Sequence, residues 1–270
     1  MRPGSSEVPA RIAARVIMLG TGTSHGVPMI GCACATCRST DPRDRRLRAS
    51  IYIDVPGRAR LLVDTATDLR QQALTYGITR VDAVLFTHSH ADHTHGIDDL
   101  RSINRMMGKP LPIFADPGTM AELKARFRYI FAPIDPEAKT AFYKPSVEPH
   151  EIAGPFTAAG MAVVPFTQDH GFSRTQGFRF GRFAYSTDAF QLDDAAFAAL
   201  AGIEVWIVDC IRRAPHPTHS HVARTLQWIS RVKPRRAIFT HMDQSLDYAT
   251  LAAELPPGVE PGYDGLVIEL

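Results

Sequence analysis

The residues best suited to chemistry crowd into six positions, His88-Ser89-His90-Ala91-Asp92-His93. Imidazole and carboxylate are the ligands that suit zinc, manganese and iron(II). One loop does not easily aim four donors at one ion. Alternating residues can serve two, and two ions side by side make a hydrolytic centre whose shared hydroxide is the nucleophile. The plain alternative is a polar loop that happens to be rich in histidine. With 11 histidines in 270 residues, a chance His-x-His-x-Asp-His is improbable.

The elements around the cluster explain how it is held. The apolar run Ala83-Val84-Leu85-Phe86 predicts a buried strand, so the cluster sits on a loop leaving a strand's C-terminal end. The same placement recurs downstream. His170 follows a strand expected at 161–166, Asp188 one at 182–185, and His241 one at 237–240. Asp64 ends a strand at 60–63, and Asp209 ends the apolar segment 203–208. Further strands are expected at 112–115 and 177–180. Helices are expected at 68–76, closed by Gly77, and at 97–106 and 119–129. In 220–232, Val222, Leu226, Ile229 and Val232 recur at helical spacing and form a core-facing stripe. Residues 132–150, rich in proline and charge, read as a long surface loop lying over the site as a lid. Strands and helices alternate in both halves, which predicts α/β layers in one domain over 13–270, after a disordered leader at 1–12.

Composition narrows the class. Apolar content of 45% allows a full core, and a net charge of +2 does not suit a dedicated nucleic-acid or membrane binder. Most arginines of 43–48 and 212–213 read as solvated surface. The first residues lack the apolar region of a signal peptide, and no run approaches the ~20 apolar residues of a membrane span. The expectation is a cytoplasmic protein whose four cysteines are reduced.

Taken in order, His88 to His93, His170, Asp188 and His241 resemble the metallo-β-lactamase superfamily. The resemblance implies an αββα sandwich with metals at one edge between two sheets. It also implies two divalent metals, zinc or manganese and conceivably iron. His88, His90 and His170 would hold the first metal, Asp92, His93 and His241 the second, and Asp188 would bridge them. Asp92 would be chiefly a ligand and would help orient the hydroxide. Asp64 reads either as an orienting partner of a ligating histidine or as a simple turn residue.

A narrower likeness rests on the glycine-rich turn 20–28 and on Cys32-Ala33-Cys34-Ala35-Thr36-Cys37. These look like the phosphodiesterase family of phosphonate breakdown, which opens phosphoribosyl 1,2-cyclic phosphate. In that family the Cys-x-Cys-x-x-Cys cluster holds a structural zinc, and three thiolates in six residues are a suitable clasp. The family's fourth ligand is a histidine three residues after the last catalytic histidine. Here that position is Gln244, a poor zinc ligand. The family's catalytic histidine falls within His216-Pro217-Thr218-His219-Ser220-His221, where His219 matches best. It would bind a phosphoryl oxygen and protonate the leaving alkoxide. Ser220 could cap the following helix, Arg213 could reach the same anion, and Cys210 reads as buried packing.

The resulting expectation is a dinuclear metal-dependent hydrolase cleaving a small or cyclic, nucleotide-like phosphodiester, with a homodimer common among relatives. Its rivals are a thioesterase or lactonase on the same scaffold, an oligonucleotide-processing nuclease, and a non-catalytic metal-binding protein. Modest net charge and no evident RNA-gripping arm make nucleic acid the weaker partner.

Overall fold

The computed structural model describes residues 14–270 apart from 136 and 139, so the leader expected at 1–12 lies outside the described residues. The first half of the chain supplies β1 (Arg15–Gly20), β2 (Ser50–Val55), β3 (Ala59–Val63), β4 (Ala83–Leu85), β5 (Leu111–Ala115) and β6 (Val147–Glu151). The second supplies β7 (Phe156–Ala158), β8 (Met161–Asp169), β9 (Arg174–Phe180), β10 (Phe183–Ser186), β11 (Val205–Asp209), β12 (Arg236–Thr240) and β13 (Val259–Pro261). The C-terminal β14 (Val267–Glu269) returns to pair with β1. Helices are α1 (Ala35–Arg38), α2 (Leu69–Thr75), α3 (Ala91–Thr94), α4 (Leu100–Met107), α5 (Pro117–Arg126), α6 (Arg128–Phe131), α7 (Asp194–Leu200), α8 (Val222–Val232) and α9 (Tyr248–Glu254).

The strands form two sheets with matching construction. One runs β14-β1-β2-β3-β4-β5-β6 and the other β13-β12-β11-β10-β9-β8-β7. In each, β-hairpin neighbours pair antiparallel at one end and crossover neighbours pair parallel at the other. Alternation along β1 shows why the sheets face each other. Val16 and Met18 join a core shared with Phe178, Tyr185 and Ile207 of the other sheet, while Ile17 and Leu19 point outward beneath α2, α4 and α5. The outer face of the second sheet packs Trp206, Val208 and Phe239 under α7, α8 and α9. Helices therefore cover both outer faces, the αββα arrangement.

Most expected elements stand within a few residues of their predicted places. The 132–150 segment differs. Its last residues form β6, an exposed edge strand, which its Pro149 tolerates. Residues 142–144, just ahead of β6, are fastened to neighbouring helices. Arg101 and Arg105 of α4 donate to the carbonyls of Tyr143 and Phe142, and Lys144 donates to that of Ile130 in α6. No helix among the described residues is long and apolar enough to cross a membrane.

Candidate metal centre

Parallel strands end at a common edge, and the chemistry gathers there. Asp64 follows β3, His88 follows β4, His170 follows β8, Asp188 follows β10 and His241 follows β12. Three of these, Asp64, Asp188 and His241, have left-handed backbones with φ of 65°, 53° and 60°. Such conformations are uncommon outside glycine and concentrate at functional sites, where the fold holds the chain in a sharp turn. Here the turn redirects each side chain from the sheet into the shared edge.

Asp188 lies at the middle. Its Oδ1 is 3.7 Å from Nε2 of both His88 and His170. Its Oδ2 is 3.1 Å from Nε2 of His93 and 3.5 Å from Nε2 of His241. Asp92 Oδ2 faces the same pair, at 3.3 Å from His93 and 3.5 Å from His241. His90 joins His88 and His170, with ring centroids 4.4 and 5.1 Å away. The expected ligands thus fall into two groups, each turned to its own oxygen of one carboxylate. All are buried except His90, which is partly exposed and marks the open side.

Hydrogen bonds fix the histidines from behind. Asp64, fully buried, accepts the Thr87 backbone N–H at 2.8 Å and the Thr87 hydroxyl at 2.8 Å, and sits 2.7 Å from His93 Nδ1. Asp64 thus both turns the chain and bonds the outer nitrogen of His93. Thr87 Oγ1 is 3.0 Å from His88 Nδ1, and His170 Nδ1 lies 2.7 Å from the Thr218 carbonyl. In each case the outer nitrogen is engaged and Nε2 is left facing inward, the arrangement that metal-ligating imidazoles require.

Two observations test whether ions fit. The Nε2 atom of His88 is buried without any hydrogen-bond partner, which is costly unless something electropositive completes it. The electrostatics also split the site. Burial pushes His88, His90 and His170 below the ordinary imidazole range, toward the neutral form that coordinates. Burial also opposes charge on His93, but the carboxylates of Asp188, Asp92 and Asp64 outweigh it and hold this imidazole well above that range. Asp92 and Asp188 lie well below the carboxylate range, because neighbouring histidines overcome burial. Clustered buried carboxylates demand positive charge, and divalent cations would replace the protons that supply it. The donor set fits two ions.

His219 is brought to the same edge. Its Nε2 is 3.8 Å from Asp188 Oδ1, and its ring stacks on His241 at 4.7 Å. On its far side Nδ1 faces Asp209 Oδ1 at 3.5 Å, while Asp209 Oδ2 accepts the Ser220 backbone N–H at 2.9 Å. Asp209 Oδ1 is also 3.8 Å from His241 Nδ1. Burial disfavours charge on His219, but Asp209, then Asp188 and Asp92, hold it above its usual value. Asp209 is fully buried and had no role in the sequence reading. The available signal was its place at the end of an apolar strand, shared with Asp64, Asp188 and His241.

Other expected residues go elsewhere. Arg213 is committed to an exposed ion pair with Glu254 of α9 at 2.5 Å, so an anion would have to displace that carboxylate. Ser220 does not cap α8, whose N-cap is His221. Its hydroxyl bonds Thr225 instead. Cys210 is buried core, as expected. Cys32, Cys34 and Cys37 do converge, with their sulfurs within 4.8 Å of one another. Cys34 Sγ caps α1 by accepting the Cys37 N–H at 3.4 Å and lies 3.9 Å from the main-chain oxygen of Gln244. Burial raises the Cys37 thiol to about 11.

With this geometry established, the comparisons are informative. A family model described as the beta-lactamase superfamily domain matches residues 59–242. The crystal structure of a diphosphatase from the PhnP family superposes with a TM-score of 0.87 at 37% identity, over 95% of this chain and 97% of that one. The chain belongs to the metallo-β-lactamase superfamily, within its PhnP family. It is also 34% identical over 261 residues to an octanoyltransferase of Porphyromonas gingivalis, covering 93% of this chain but 51% of that protein. The chain thus spans about half the length of that curated relative. Zn(2+)-bound PqqB from Methylobacterium extorquens shares the fold, with a TM-score of 0.75, 20% identity and coverage of 95% and 100%. The His and Asp groups at the strand ends are ones that could hold metal ions.

Proposed function

We propose that this metallo-β-lactamase hydrolase cleaves a small phosphodiester or related phosphoanhydride. The carrying observation is His219: a buried histidine beside the ligands, held from behind by a buried carboxylate and turned inward at Nε2. The proposed ligand set does not call on it, which would leave it available for substrate. The likeness to a PhnP-family diphosphatase supports the same bond class.

The chain's own groups would divide the work as follows. His88, His90 and His170 would hold one ion, Asp92, His93 and His241 the other, with Asp188 between them. When bound, divalent ions supply an acidified water and positive charge beside a phosphoryl centre. Asp188, fixed by its strained turn, sets the spacing of the two halves. Asp209 keeps the proton on His219 Nδ1 and stabilises the imidazolium, so that Nε2 can bind a phosphoryl oxygen and pass its proton to the departing oxygen. His170 and His219 are tied together through the Thr218 carbonyl, which keeps ligand and acid in register.

A second reading is acyl chemistry, favoured by the relative named an octanoyltransferase. A panel of bis-p-nitrophenyl phosphate, a cyclic nucleotide, a thioester and a lactone, run with metal-quantified protein, separates the two. Diester turnover is expected. Thioester or lactone turnover without diester turnover would reject the phosphodiester reading.

A further inference from the structure

Beside the metal centre, the tip of the β8–β9 hairpin, the 191–193 segment and α7 enclose a groove of about 840 Å³. Its walls are continuous with the centre. His170 is the first residue past β8, and the segment following Asp188 is tied back to that strand by the Phe190 N–H donating to the Asp169 carbonyl at 2.7 Å. Phe172 stands at the junction. Its ring centroid is 6.2 Å from that of His170, yet its side chain is 82% exposed.

An exposed phenylalanine is ordinarily unremarkable, but the turn that carries this one is tightly bonded. Asp169 Oδ1 accepts the Gly171 N–H at 2.7 Å, and the His170 N–H donates to the Ser173 carbonyl at 3.0 Å. Gly171 has φ of 81°, and a Cβ there would come within 2.9 Å of the Pro217 carbonyl oxygen. The turn is therefore locked against the segment that carries His219. An aromatic carried on an ordered turn costs little backbone entropy when it binds a flat partner. Beside it Gln191 is exposed and lines the same groove, and its amide can both donate and accept, which suits the edge of a heterocycle.

We infer that Phe172 is a stacking platform for the base of a nucleoside phosphate whose phosphoryl group lies at the metal centre. This deepens the phosphodiester reading and rests on it for the reacting end. A base and a phosphoryl group one sugar apart match a platform one ring beyond a ligand. Phe172 would then determine specificity without entering the chemistry.

The test is calorimetric titration of AMP and of ribose 5-phosphate into metal-loaded wild type, Phe172→Ala and Phe172→Tyr. Wild type should bind AMP more tightly than ribose 5-phosphate. Phe172→Ala should weaken AMP by roughly tenfold, as expected for one lost base–aromatic stack, and leave ribose 5-phosphate unchanged. Phe172→Tyr should restore AMP binding. Equal binding of the two ligands by wild type, or equal weakening of both by Phe172→Ala, overturns the inference. So does a change of oligomeric state in sedimentation of Phe172→Ala with AMP binding intact, which would make Phe172 a subunit contact. Turnover of a 2′,3′-cyclic nucleotide separates the two proposals. Phe172-dependent AMP selectivity without turnover keeps the platform and rejects the diesterase. Turnover without that selectivity does the reverse.

Discussion

The histidine–carboxylate cluster and the cysteine cluster are both groups of metal donors, but they are assembled in opposite ways. The first draws Asp64, His88 to His93, His170, Asp188, Asp209 and His241 from strand ends in both sheets. The second closes within 32–37 and meets the rest of the chain chiefly where Cys34 approaches the Gln244 carbonyl. A centre built from both sheets exists only when the sandwich has formed, and its buried carboxylates keep it charged and reactive. A local clasp of thiols can bind before folding and serves mainly to fasten a loop. Damage to the first should therefore remove activity with little loss of structure, and damage to the second should do the opposite.

The sharpest test of that contrast is Asp188→Asn. It keeps the volume of the central residue but removes the charge that faces His88, His93, His170, His219 and His241. Turnover of a phosphodiester should fall on the order of a thousandfold or more. Metal content measured by plasma emission should fall with it, while circular dichroism stays native. Full activity with two ions retained would show that Asp188 does not link the halves.

His219→Ala should lower kcat by roughly two to three orders of magnitude, in the range of a lost general acid, without changing metal content. The loss should be larger for an alkoxide leaving group than for p-nitrophenolate, which hardly needs a proton. An equal loss on both would assign His219 to binding rather than proton transfer. Asp209→Asn should reproduce the same leaving-group dependence at a smaller size, because it acts through the His219 imidazole.

The candidate ligands were legible in the sequence because His88, His170, Asp188 and His241 each follow an apolar strand, and His90, Asp92 and His93 share one short run with His88. Asp209 fitted that pattern too but lacked a neighbouring histidine, and its partner His219 comes ten residues later. β2 was not legible. It is buried on every residue, so it shows no alternation, and Ser50 and Asp54 interrupt its apolar run. β6 was hidden for the opposite reason: Glu148, Pro149, His150 and Glu151 are exposed, and an edge strand needs little apolar surface. The fate of Arg213 depended on Glu254, 41 residues away, which spacing could not reveal.

For the cysteine cluster the informative variant is Cys34→Ser. Serine is a favoured N-cap, so the bond to the Cys37 N–H survives and only the thiolate is lost. The protein should lose any zinc beyond the two ions of the catalytic cluster. Its Tm should drop by roughly 2–4 °C for each kcal/mol lost, with kcat nearly unchanged. Gln244→His, restoring the imidazole that the phosphonate-breakdown phosphodiesterases carry at this position, should slow zinc removal by a chelator. A collapse of kcat in Cys34→Ser at constant fold would erase the distinction between the two clusters.

The smallest effect concerns the strut between them. Asp264 accepts the Leu47 N–H at 2.7 Å and the Thr21 hydroxyl at 2.8 Å. Thr21 in turn takes the Met242 N–H, next to His241, so this carboxyl braces the edge that both clusters share. Burial pushes its pKa up to about 7, against the pull of those two donors and of Arg46. The unfolded value is about 4, so the folded protein prefers the protonated form. The stability this contributes is fully present below about pH 4 and is lost as pH rises through about 7. Asp264→Asn resembles the protonated acid and cannot titrate. It should be no more stable than wild type near pH 4 and should gain on it steadily toward neutral pH, read as the difference between their melting temperatures. A constant difference across that window would mean that Asp264 stays ionised, with Arg46 supplying enough charge to keep it so.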